Sequence, residues 1–115
     1  MNNTSLLSSP PVFGFFELDP EGTVLYSRPV GGAEITNGNQ TIIGQDFFRE
    51  VFLCQNVESF RRKFLDFVVG NQMTERFLFK CIAGETVLLK IMFVKVLENN
   101  GAKNKKVIYV DIRQG

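Results

Sequence analysis

The feature that most restricts the fold is a change of hydrophobic period in mid-chain. In Gly44-Gln45-Asp46-Phe47-Phe48-Arg49-Glu50-Val51-Phe52-Leu53-Cys54, two apolar pairs, Phe47/Phe48 and Val51/Phe52, stand four residues apart. That spacing marks one face of a short helix, expected over 45–53. Beyond Cys54 the period persists. Phe60, Phe64, Phe67 and Val68 recur at three- and four-residue intervals, with Glu58, Arg61, Arg62 and Asp66 between them. An amphipathic helix is expected here, with Asn56 as its N-cap and Gly70 closing its end.

On both sides of this block the period is two. Val12 to Leu18 reads as a strand with Phe13, Phe15 and Leu18 on the buried side. Asp19-Pro20-Glu21-Gly22 is a turn, because Pro presets φ and Gly accepts φ > 0. Thr23 to Ser27 then completes a hairpin, alternating Val24 and Tyr26 against Thr23 and Leu25. Residues 30–43 are rich in Gly, Asn and Thr and read as a long loop, a length often tied to function. After Gly70 come three strands, roughly Gln72–Ile82, Thr86–Leu97 and Lys106–Arg113. Ala83-Gly84-Glu85 joins the first two tightly, and Glu98 to Lys105 reads as a polar loop. Val87, Leu89, Ile91 and Phe93 form an apolar face on the middle strand. Its other face, Leu88, Lys90, Met92 and Val94, is only partly polar, so something should cover part of it.

The fold class is therefore α+β: a five-stranded antiparallel sheet with short helices and one longer helix on one face. The 115 residues suit one domain, 12–115, preceded by a flexible polar segment, 1–11, that ends in Pro10-Pro11.

Composition removes several classes of function. With no histidine there is no Ser-His-Asp or Cys-His nucleophile pair and no His-ligated zinc or haem. The two cysteines, Cys54 and Cys81, are too few for a four-sulfur metal site. They could pair in a disulfide, but nothing in the sequence points to an oxidising compartment. A net charge of +1 supports neither nucleic acid nor anionic membrane as a partner. The basic cluster Lys103, Lys105 and Lys106 reads as a solvated hairpin tip. No secretory signal opens the chain, and no apolar run approaches the ~20 residues that span a bilayer. A cytoplasmic protein is expected. Twelve Phe and no Trp imply a Phe-packed core or, alternatively, an apolar ligand cavity.

The element order, two strands, a helical middle and three strands, resembles the PAS domain family. Ile43-Gly44-Gln45-Asp46-Phe47-Phe48-Arg49-Glu50-Val51 is similar to the "IGxxFFxxV" segment of its photoactive yellow protein branch. Cys54 stands where photoactive members carry a chromophore cysteine, and Ser59-Phe60-Arg61-Arg62-Lys63-Phe64 matches the following helix. Tyr26 matches the tyrosine that holds the chromophore phenolate, and Thr36, in Glu34-Ile35-Thr36, matches the threonine that supports it. The resemblance covers about residues 12–113. It implies p-coumaric acid thioester-linked to Cys54, with Tyr26 and Thr36 as cofactor-binding residues. Other positions depart from the pattern. Val30 stands where a second phenolate-binding glutamate belongs, Asn37-Gly38-Asn39 offers no shielding arginine, and Phe52-Leu53 replaces the usual Ala-Pro. A phenolate is costly to bury with few donors.

These departures favour a signal-transduction module with no bound cofactor, and the lack of a catalytic constellation makes a non-enzymatic role the expectation. It would act through a protein partner or a homodimer. Its interface is expected on Leu88, Met92, Val94 and Val96. The alternatives are a photosensor with p-coumaric acid on Cys54 and a thiol-based redox sensor. In the first reading Cys54 is a buried structural thiol, Cys81 an inert thiol beside Phe77 and Phe79, and Tyr26 a half-buried strand aromatic.

Overall fold

The two hydrophobic periods separate into two layers, a single sheet and a helical layer packed on one of its faces. The structure, a computed structural model, describes residues 13–29, 42–100 and 103–115. The strands are β1 (Gly14–Leu18), β2 (Val24–Pro29), β3 (Thr74–Ala83), β4 (Glu85–Asn100) and β5 (Lys103–Gln114). Between β2 and β3 come one π-helical turn, Phe47–Val51, and the helix α1, Val57–Val69. All neighbouring strands run antiparallel, in the spatial order β2-β1-β5-β4-β3. The expected 1–11 segment and most of the 30–43 loop lie outside the described residues.

Three expectations about the strands are corrected by register. In β1, Phe16 and Leu18 face the core and Phe15 faces outward, where its ring meets Tyr109 with centroids 5.2 Å apart. In β2 a bulge intervenes: Glu17 pairs with Tyr26, but Leu18 pairs with Val24. One extra residue reverses the side-chain alternation, so Val24 points into the core and Tyr26 to the outer face. Lastly, β4 and β5 remain paired out to Asn100 and Lys103, so most of the expected 98–105 loop is strand.

The short helix over 45–53 is a single wider turn. The Phe52 N–H donates to the Phe47 carbonyl at 2.8 Å, an i→i+5 bond. Asp46 caps it, its carboxylate accepting from the Phe48 and Arg49 N–H groups at 3.0 and 3.2 Å. Glu50 accepts reciprocally from the Asp46 N–H at 2.9 Å. Phe47, Phe48, Val51 and Phe52 are all buried as a result.

Helix α1 buries Phe60, Phe64, Phe67 and Val68, as its period predicts. Its ends fall at Asn56 and Gly70 as expected, but the means of capping differ. The Asn56 side chain makes no cap bond, and Gly70 ends the helix in extended backbone. Lysines from the sheet supply the missing donors. Lys95 Nζ donates to the Gly70 carbonyl at 2.8 Å and Lys106 Nζ to the Val68 carbonyl at 3.2 Å. Lys106 is therefore not part of a solvated tip. Cations at a helix C-terminus also suit its dipole.

Lys95 is almost fully buried, and its ammonium lies 4.9 Å from the Phe67 ring centroid. Burial, with a smaller contribution from the Lys106 charge, holds it below the ordinary lysine value of 10.5. The folded chain therefore loses this proton before the unfolded chain does. Stability should rise with pH between the lowered folded value and 10.5, and be flat below that window. Denaturant titrations of wild type and Lys95→Met should show this rise in wild type only.

Candidate functional site

Cys54 lies in the short connection between the π-helical turn, which ends at Val51, and α1, which starts at Val57, and this holds it on the helical side of the sheet. Its carbonyl accepts from the Val57 N–H at 3.2 Å, and the next residue, Gln55, donates its N–H to the Ile82 carbonyl of β3 at 2.7 Å. Alternation in β3 turns Phe77, Phe79 and Cys81 toward that side. The two cysteines therefore meet, with Cα atoms 5.4 Å apart, and form a disulfide. This corrects the reading of two inert thiols. The physical reason is the Gln55 contact with β3, which brings together residues 27 apart in sequence.

Asn56 strengthens the same junction. Its Nδ2 donates to the Lys80 carbonyl at 2.7 Å, and its Oδ1 accepts from the Ile82 N–H at 3.1 Å. One amide side chain thus takes the place of a neighbouring peptide on the edge strand. The residue expected to cap α1 holds the start of the helix against β3.

Phenyl rings occupy the space next to this junction. Phe52 is 1% exposed and stacks on Phe60 with centroids 4.3 Å apart and planes at 20°. Phe60 also meets Phe47, Phe48, Phe77, Phe79 and Phe93 at 5.2–6.5 Å. Around Phe60, among the described residues, the phenylalanines pack ring on ring.

Of the other expected cofactor residues, Tyr26 lies on the opposite side of the sheet from Cys54. Tyr26 is 43% exposed on the outer face of the sheet, its ring 6.4 Å from Phe15. Thr36 and Val30 lie outside the described residues. The expected interface residues, by contrast, do share one face. Leu88, Met92, Val94 and Val96 alternate along the outer side of β4, with Leu88 38% exposed and the other three half-buried.

Next to Met92 is a depression of about 410 Å³ on the outer face, lined by Arg76, Leu78, Lys90, Met92, Asp111 and Arg113. Arg113 Nε lies 3.1 Å from an Asp111 carboxylate oxygen, while Arg76 and Lys90 add positive charge beside the apolar floor. Sequence reasoning stopped at β4 and missed these flanking residues. Strand alternation in β3 and β5 carries the signal, but using it requires the cross-strand register: Arg76 opposite Met92, and Met92 opposite Asp111.

No family model matches the chain. It is 29% identical over 65 residues to the photoactive yellow protein of Rhodothalassium salexigens. The match covers 56% of this chain and 52% of that protein, so the chain spans about half the length of the curated relative it matches. With the five-stranded antiparallel sheet and its helical layer, this distant likeness agrees with a PAS-like fold. Among the described residues no helix is long and apolar enough to cross a membrane.

If Phe52 acts as packing rather than as the wall of a ligand site, truncating it should be expensive. Phe52→Ala should lose about 3–5 kcal/mol of unfolding free energy, the usual cost of removing a buried Phe side chain. Phe52→Leu should lose less. Urea denaturation followed by circular dichroism would measure both.

Proposed function

We propose that the chain is a PAS-like signal-transduction module that acts in the cytoplasm through protein–protein association and works without a bound chromophore. The observation that carries this reading is the division of labour between the two sheet faces. The inner face is closed by phenyl rings around Phe60. The outer face presents Leu88, Met92, Val94 and Val96 beside a broad depression with an apolar floor. Phe52 and its neighbouring rings pack beside Cys54, which supports a module without a chromophore, and a partly apolar surface gains by being covered. The reading is also non-enzymatic, because a chain without histidine has no evident base beside either cysteine.

The partner is a second copy of the chain or another protein, and the test separates association from cover supplied by the chain itself. Met92→Glu places a charge at the centre of the proposed contact, where burial would be costly. Light scattering of the wild type and the variant should show a lower mass for the variant, or loss of a co-purifying partner. An unchanged mass and composition would overturn association through this face.

The distant likeness to a photoactive yellow protein supports a second reading, a photosensor with p-coumaric acid thioester-linked to Cys54. That chemistry needs the Cys54 thiol released from Cys81. Adding activated p-coumaric acid to the reduced protein should then produce a blue or yellow band that Cys54→Ala abolishes. Absence of a band in wild type would end this reading.

A further inference from the structure

Apart from the main chain that runs from α1 into β3, the two cysteines form the one covalent cross-link between the helical layer and the edge of the sheet among the described residues. β3 is an outermost strand, and its backbone groups at Lys80 and Ile82 point away from β4. They are satisfied by the main chain of Gln55 and the side chain of Asn56, not by another strand. Both Asn56 bonds are exposed at the surface, where water competes with them and leaves little net gain. The disulfide adds a link that water cannot replace. Without it, residues 53–56 rest on the Gln55 main-chain bond, the exposed Asn56 bonds and the burial of the Cys54 side chain, and the edge below them is of the kind to which a partner strand adds.

The location also suits reversible chemistry. One cysteine is in a connecting segment and the other in an edge strand, elements that open locally without unfolding the centre of a sheet. Leu53 is 50% exposed and Gln55 is exposed, so Cys54 has solvent-facing residues on both sides. Cys54 is itself slightly accessible, whereas Cys81 is sealed.

We propose that Cys54–Cys81 is a redox site whose reduction by a dithiol releases residues 53–56 and uncovers the β3 edge from Lys80 to Ile82. A thiolate of the dithiol attacks Sγ of Cys54, the S–S bond breaks, and Cys81 leaves as a thiolate that takes a proton from water. The second thiolate of the dithiol then attacks its own sulfur in the mixed disulfide and expels the Cys54 thiolate, which is protonated in turn. Two electrons and two protons pass to the pair, and the dithiol departs as its disulfide. This device is independent of the outer-face association proposed above, because it acts at the edge of β3 and not on the face of β4.

The test is amide hydrogen exchange, read by NMR on the whole chain before and after treatment with dithiothreitol and again after reoxidation. Reduction should speed exchange of the Gln55 and Ile82 amides at least tenfold, leave Phe93 and Val110 in the interior strands unchanged, and be reversed by reoxidation. Asn56→Ala, which keeps the disulfide, should speed Ile82 alone. Acceleration at Phe93 and Val110 as well would make the disulfide a structural staple and overturn the proposal. So would unchanged exchange at Gln55 and Ile82, or full alkylation of both cysteines in air-exposed protein without reductant.

Discussion

The stacking of Phe60 against Phe52 and the sheet phenylalanines is the contact on which the remaining structure depends. One ring from α1 touches the π-helical turn through Phe47, Phe48 and Phe52, and the sheet through Phe77, Phe79 and Phe93. Aromatic pairs in such offset and tilted arrangements each add about 0.5–1.5 kcal/mol beyond simple burial. A core built this way is rigid because each ring is held by several others.

Backbone irregularities let these rings meet. The π-helical turn widens the helical path by one residue and buries four apolar side chains within a six-residue stretch. Gly22, at φ +95°, brings the β1–β2 turn so close to Phe48 that a Cβ there would sit 2.8 Å from its ring. The turn itself is tied by Asp19, whose carboxylate accepts from the Glu21 and Thr23 N–H groups at 2.9 Å each. The bulge at Leu18 and Val24 belongs with these features. It keeps Val24 in the core and sends Tyr26 outward.

Polar links then secure the margins of this apolar layer. Lys95 and Lys106 reach from β4 and β5 to the carbonyls at the end of α1, and Asn56 ties its start to β3. The disulfide covers the same corner as Asn56. The helix is thus attached at each end to a different part of the sheet, and only the Cys54 end can be released by chemistry instead of by unfolding. The cationic flanks of the outer depression lie on the opposite face, away from that corner.

Much of this was legible in the residues. The period of 3.6 in Val57–Val69 placed Phe60, Phe64, Phe67 and Val68 inward, and the period of two predicted five strands in one antiparallel sheet. Turn chemistry at Asp19-Pro20-Glu21-Gly22 and Ala83-Gly84-Glu85 located two of the three hairpins, while the third, between β4 and β5, was read as a longer loop. The outer side of β4 was legible for the same reason, since alternation alone assigns Leu88, Met92, Val94 and Val96 to one face. These features are local, and local sterics and burial decide them. The tertiary structure alone decided the rest. A single-residue bulge turned Tyr26 away from Cys54, because register depends on a partner strand and leaves no mark in a strand's own period. The packing of Gln55 and Asn56 on β3 brought Cys54 to Cys81 across 27 residues, because contact between distant residues follows from how layers dock and not from spacing along the chain.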